Sequence, residues 1–283
     1  TAFCTAKFRI MILVKLAVSK FSATGNSFVL LDAASLSAPV PGARKLSFWA
    51  KKLSQGLGSD GFIFAQRSRG GQAGVKMTFF NPDGTQAFCG NGTRTTGFYM
   101  LRHVMGKRSG VVRVGTSTGP IEVSVNSDRA ALTAVAVPEF KGEVRLKGDL
   151  SRQVPAPFFA LDSGCPHAVC FVPDVARVAV ESAGRAVRYD EAFAPAGTNV
   201  DFVEVVDDVS IKLRTYERGV ERETLSCGSG ALAAAWACQV LKKTTSRALT
   251  VRTQGGILRV SLDSRKLALE GQVGLLFEGI AYV

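Results

Sequence analysis

Histidine is scarce in this chain: 283 residues contain two, His103 and His167. The six cysteines stand at 4, 89, 165, 170, 227 and 238, with no CxxC pair and no Cys/His group at zinc spacing. These absences exclude a zinc-finger type of metal site and a dense disulfide scaffold, and the usage reads as cytoplasmic and reduced. Basic runs are missing too. The 35 Lys and Arg give a net charge of +12 but are spread over every segment, which argues against nucleic acid as a partner and leaves attraction of small anionic substrates open. No apolar run is long enough to cross a bilayer, since Lys15 interrupts the one near the start. No cleavage site follows that run, so Met11 is read as the natural start and residues 1–10 as an extension, with an organelle-targeting remnant as the other reading.

What the chain does have is an internal repeat, the first feature to seek because it dictates the architecture. TGNSFVLLD at 24–32 resembles SGCPHAVCFV at 163–172, with Asn26 over Cys165, 139 apart. SDGFIFA at 59–65 lies over TNVDFVEV at 198–205, with Asp60 over Asn199, again 139 apart. KMTFFNPDG at 76–84 matches KLRTYERG at 212–219, glycine over glycine at 135. Cys89 matches Cys227 at 138, and Gly119 matches Gly256 at 137. Five blocks in one order at a nearly constant offset imply two homologous halves.

Each half reads as three strands, a turn, a helix and a hairpin, from period-two Val/Ile/Phe runs and Gly-Pro or Gly-Gly turns. ALAAAWACQVLKK is a good helix former that is apolar on nearly every face, which predicts a central buried helix. The expected fold is mixed α/β, with two pseudo-symmetric domains that each wrap a strongly curved mixed sheet around a central helix. The first domain is expected over 1–132, completed by 273–283, and the second over 133–272.

Two turns carry the chemistry. Cys89-Gly90-Asn91-Gly92 and Cys227-Gly228-Ser229-Gly230 each open a helix. A helix N-terminus offers unpaired N–H groups and partial positive charge, so a carboxylate can approach there, and the same field is expected to lower the thiol pKa toward neutrality. Facing each other across a cleft, the two sulfurs suit removal of a proton beside a carboxylate by a thiolate and delivery of another by a thiol to the opposite face. Backbone N–H groups would stabilise the developing charge, and no sequence motif asks for a metal or a pyridoxal cofactor. A free cysteine is more commonly a small buried hydrophobe, which is the reading of Cys170 and Cys238.

The motifs TGNSF (24–28), FNPDG (80–84), CGNGTR (89–94), GCPH (164–167), AGTNVDFVEV (196–205), YERGVERETLSCGSGA (216–231) and FEG (277–279) make the chain resemble the diaminopimelate epimerase family. The resemblance implies a cofactor-independent epimerase that interconverts LL- and meso-diaminopimelate on the route to lysine and peptidoglycan, working as a homodimer. It implies Cys89 and Cys227 as the acid/base pair, and Gly90, Asn91, Gly228 and Ser229 as the cradle of the reacting carboxylate. His167 and Glu217 would stand by the reacting amino group, and Asn26, Asn81, Asn199 and Arg218 would read the distal end.

Arg218 can hold a carboxylate in bidentate fashion. The asparagines could instead serve as turn or cap residues, and His167 could make a core hydrogen bond; His103 is read as structural. Three departures from the family pattern stand out: Cys165 replaces a usual Asn, the Asn81–Cys89 loop is one residue short, and Thr95 or Thr96 takes the neighbourhood of a common further cysteine. The other readings are a proline-, hydroxyproline- or histidine-type racemase on the same fold, a phenazine-type isomerase, and a non-enzymatic amino-acid-binding protein.

Overall fold

The computed structural model describes residues 13–68, 74–147, 154, 155, 157–263 and 265–283. The expectations for residues 1–10 and Met11 therefore lie outside the described residues.

The first half runs β1 (Lys15–Ala23), β2 (Asn26–Asp32), α1 (Ala43–Leu57), β3 (Gly61–Arg67), β4 (Val75–Phe80), β5 (Gln86–Ala87), α2 (Gly90–Tyr99), β6 (Ser109–Thr116), β7 (Gly119–Asn126) and β8 (Arg129–Val135). The second runs β9 (Glu139–Val144), β10 (Phe158–Asp162), β11 (Pro166–Phe171), α3 (Val180–Arg188), β12 (Asn199–Asp207), β13 (Ser210–Glu217), β14 (Arg222–Thr224), α4 (Gly228–Val240), β15 (Ala248–Thr253), β16 (Gly256–Leu262) and β17 (Leu267–Tyr282).

The same pairing scheme occurs twice. β1 is antiparallel to β2, β2 parallel to β3, β3 antiparallel to β4, β4 parallel to β6, and β6, β7 and β8 form a meander. The second half repeats this with β10, β11, β12, β13, β15, β16 and β17. Strand β17 joins the halves: its first residues pair with β16 and β8, and its continuation from Val273 to Tyr282 pairs with β1. The register refines one sequence match. His167 pairs with Asn199 where Phe28 pairs with Gly61, so Asn199 corresponds to Gly61 rather than to Asp60.

A parallel pair cannot be joined by a hairpin: the β4–β6 and β13–β15 crossovers carry the central helices α2 and α4, and the β2–β3 and β11–β12 crossovers carry the outer helices α1 and α3. The crossover strands are therefore covered on both faces, which is why VLL of β2 and FIF of β3 are buried without alternation. Leu46, Trp49 and Leu53 of α1 pack outside against Val29, Leu31, Phe62 and Phe64, and Val180, Ala183 and Val187 of α3 against Val200, Phe202 and Tyr216.

The inner face of each half wraps a central helix. In α4 the residues Ala231 and Ala233–Ala235 are fully buried among strand residues Val169, Val203, Leu213 and Val260. Helix α2 is sequestered from Asn91 to Phe98 and continues into one π-helical turn, Met100–Val104. His103 of that turn stacks on Tyr99 and meets the ring of Phe21 edge-on. Among the described residues, no helix is long and apolar enough to cross a membrane.

Candidate active site

Cys89 caps α2 and Cys227 caps α4 in the same way. The Gly92 N–H donates to Cys89 Sγ and the Gly230 N–H to Cys227 Sγ, each at 3.3 Å. Glycine is required in the second turn, because a methyl group on Gly230 would stand 2.4 Å from Asp201 Oδ1. The two helix ends abut: a methyl on Gly228 would lie 3.1 Å from Asn91 Oδ1.

One cavity of about 900 Å³ opens at this junction, and both cysteines line it. Its wall also contains Asn26, Gly90, Asn91, Glu217, Arg218, Gly228 and Ser229. Nine of the twelve residues singled out from sequence thus meet in one place.

The other three stand elsewhere. Asn81 lies in the surface turn after β4, where its amide donates to Thr85 Oγ1 at 3.0 Å and its backbone closes the turn to Thr85 and Gly84. His167 and Asn199 sit one layer behind the wall. His167 Nδ1 is 2.6 Å from Asp201 Oδ2, its Nε2 is 3.3 Å from Cys165 Sγ, and both ring and carboxylate are fully buried. Asn199 donates to the Pro166 carbonyl at 2.9 Å and its Oδ1 accepts from the Arg218 N–H at 2.9 Å. Cys165 itself is the residue of this group that reaches the cavity.

The electrostatics correct one expectation. The helix-end field does not bring the two thiols toward neutrality. Burial pushes the Cys89 thiol up to about 12, against the Gly92 N–H that favours the thiolate, and the Glu217 charge adds to the rise. Burial and then Glu217 and Asp201 raise Cys227 as well. Removing a sulfur anion from water costs more than one N–H contact and half a charge return.

Glu217 is raised by burial too, with its Oε2 accepting from the Thr224 hydroxyl at 2.9 Å. His167 behaves oppositely: burial disfavours its cation, yet the charge and hydrogen bond of Asp201 raise it to about 10. Burial also opposes ionisation of Cys165, but the hydrogen bond and charge of His167 prevail and hold it below the ordinary thiol range.

Sequence reasoning left Arg94 and Asp201 without roles, although both lie within the motifs CGNGTR and AGTNVDFVEV. Arg94, on α2 itself, is fully buried, with its Nη2 donating to Asn91 Oδ1 at 2.6 Å. The Asn91 amide in turn donates to Asn26 Oδ1, so guanidinium, Asn91 and Asn26 form one chain of donors and acceptors. The wall residues Arg113, Glu122, Asp162 and Lys266 also went unforeseen, since each belongs to an alternating strand or a hairpin end that looks solvent-facing in sequence.

Fold and paired turns together define the class, an epimerase-type α/β architecture of two similar lobes around central helices. A phenazine biosynthesis protein of the PhzF family from Bacillus anthracis superposes with a TM-score of 0.74 at 18% identity, covering 95% of this chain and 100% of that one. A hydroxyproline epimerase from Agrobacterium vitis gives 0.68 at 13% identity, covering 95% and 93%.

The sequence narrows this further. The family model described as diaminopimelate epimerase matches residues 159–274. The diaminopimelate epimerase of Aquifex aeolicus (strain VF5) is 35% identical over 271 residues, 92% of this chain and 95% of its own. That of Methanocella arvoryzae is 34% identical over 279 residues, 94% of this chain and 97% of its own. The chain belongs to the diaminopimelate epimerase family.

Proposed function

We propose that this protein is an isomerase that interconverts LL- and meso-diaminopimelate by proton exchange between two thiols at one α-carbon. The observation that carries the reading is the pair of cysteines on one cavity wall, each capping a helix that its own half of the repeat supplies. One sulfur, as thiolate, takes the α-proton, and the other, as thiol, gives a proton to the opposite face. Gly90, Asn91, Gly228 and Ser229 supply donors at the two helix ends for the reacting carboxylate, whose charge grows as the carbon is deprotonated.

Burial favours the protonated form of both thiols, so substrate binding must ionise one of them. Glu217 is the lever. Its charge raises both Cys89 and Cys227, and a substrate ammonium paired with it would cancel that effect and add attraction for a thiolate. Arg218, on the same wall, is the cation for the distal carboxylate. His167 acts from behind Cys165 rather than beside the amino group. Asn26 is placed to reach the substrate, whereas Asn81 would need its turn to move and Asn199 acts through Arg218 and Cys165.

The protein is further proposed to work in the cytoplasm, with 1–132 plus 273–283 and 133–272 as its domains, and as a homodimer. The described cysteines are unbridged, as suits a reducing compartment. The far end of β17 exposes Leu276, Phe277, Ile280 and Tyr282, apolar area that a second copy would cover.

The test is incubation with LL-diaminopimelate in deuterated water, with proline, hydroxyproline and histidine in parallel. Deuterium at the α-carbon together with meso product is expected for diaminopimelate alone. Exchange with another amino acid and none with diaminopimelate would replace the substrate, and no exchange at all would reject the two-thiol reading.

A further inference from the structure

The second half buries a polar set for which the first half has no counterpart. On the inner face of β11 and the turn before it stand Cys165, His167 and Val169; on the inner face of β12 stand Asn199, Asp201 and Val203. Period-two alternation puts each trio on one side, and the parallel register sets His167 beside Asn199. The positions that correspond to His167 and Asp201 in the first half are Phe28 and Ile63, both core residues. The architecture therefore packs well with hydrocarbon there, and burying an imidazole and a carboxylate instead costs stability that packing does not require.

The set is ordered as a relay. Thr215 Oγ1 donates to Asp201 Oδ1 at 2.7 Å and fixes the carboxylate, whose other oxygen is 2.6 Å from His167 Nδ1. With Nδ1 donating to Asp201, Nε2 faces Cys165 Sγ at 3.3 Å. The Asn199 amide adds a second donor to the same sulfur at 3.6 Å, and its orientation is fixed by the Arg218 N–H on its oxygen. Cys165 is partly exposed and opens on the cavity. Nucleophile, base and orienting carboxylate in hydrogen-bond sequence are the arrangement that activates a thiol.

We propose that Cys165, rather than Cys89 or Cys227, is the first thiol of this chain to be modified covalently, and that small α,β-unsaturated carbonyl compounds are the class it takes. The thiol proton passes to His167 Nε2, and the sulfur forms a bond to the β-carbon of the acceptor. The double-bond electrons move to the α-carbon, which then receives the proton back from His167. The net change is addition of S–H across C=C; nothing leaves and no oxidant is needed. The adduct would sit in the cavity between Ser229 and Arg218 and block it.

The experiment is exposure of the whole protein at pH 7 to limiting acrylamide, followed by quenching, digestion and mass spectrometry, with fragment ions separating Cys165 from Cys170. Cys165 is expected to react about tenfold or more faster than Cys89 and Cys227 in the folded protein, and the ratio should fall to about one in urea. Asp201→Asn should slow Cys165 by about tenfold. If that variant does not fold, the wild-type ratio between folded and unfolded protein decides alone. Earlier labelling of Cys89 or Cys227, an unchanged ratio in urea, or undiminished labelling of folded Asp201→Asn would overturn the proposal. Because labelling is read by mass and not by turnover, its failure is distinct from failure of the epimerase reading.

Discussion

Replacement of Arg94 by methionine should make the protein less active and no less stable. The guanidinium is fully buried, and of its nitrogens Nε and Nη1 have no partner among the described residues. Its one strong bond is to Asn91 Oδ1, with a longer contact from Nη2 to Thr24 at 3.5 Å. Burial lowers its pKa to about 10, so it remains a cation at pH 7. An unpaired buried cation costs several kcal/mol of desolvation, whereas leaving the Asn91 oxygen bare costs about 1–3 kcal/mol.

The balance predicts a folding free energy for Arg94→Met that is unchanged or raised by up to about 2 kcal/mol. Catalysis responds the other way. Arg94 holds the Asn91 amide toward Asn26, and its positive charge favours the Cys89 thiolate. Loss of a charge-assisted bond of about 1.5–3 kcal/mol should lower kcat/KM about 10- to 150-fold, with the loss in kcat, because the charge it supports develops during proton transfer. Urea unfolding and α-deuterium exchange measure the two quantities. A variant destabilised by more than about 2 kcal/mol, or one as active as the parent, would refute the reasoning.

Further outcomes follow from the same geometry. Cys89→Ser and Cys227→Ser should each lower kcat by about 10²–10⁴ while circular dichroism stays unchanged, since each removes one of two proton carriers; a variant within tenfold of the parent would dismiss that sulfur. Burial raises the fully enclosed Cys170 and Cys238 from 9.0 to about 12. The unfolded chain therefore ionises first: their stabilisation is complete below pH 9 and is lost as pH rises toward 12, at about 1.4 kcal/mol per thiol per pH unit. Urea midpoints should hold from pH 8 to about 9 and fall on that slope up to about pH 10.5, more gently in Cys170→Ala/Cys238→Ala; equal slopes would count against burial as the cause. Gly97→Ala would put a methyl 2.6 Å from Val123 Cβ and should cost about 1–3 kcal/mol. A thermal midpoint equal to the parent's would show that α2 and β7 can separate. Phe277→Lys should halve the mass in solution if the exposed end of β17 is covered by a second copy; an unchanged dimer would move the interface elsewhere.

The repeat was readable because symmetry leaves a trace at every level. Glycines, hairpins and the two cysteines recur at offsets close to one another, and strand pairing then recurs with them. The two cysteine turns were readable for a local reason: a Cys-Gly-x-Gly ahead of a helix former specifies a cap geometry within four residues. What sequence concealed lies between strands. Nothing in GCPH says that its histidine turns away from the cavity toward an aspartate 34 residues on. That contact depends on which strands pair in parallel and with what register. The loop holding Asn81 misleads for a similar reason, because Asp83 and Thr85 close a turn on themselves and use the amide there.

The thiol pKa values show where local reasoning stops being sufficient. At a helix N-terminus in water the field of the last N–H groups lowers a thiol, and both turns have that field. Here both turns also line one cavity, so the symmetry that brings two sulfurs together also removes the water that would solvate their anions. Desolvation outweighs the local field at both positions. A neutral thiol is a poor nucleophile, so burial shields both positions from modification. On the proposed reading, ionisation waits for a cation in the cavity, so the charge of the substrate, and not the turn alone, would switch on the base.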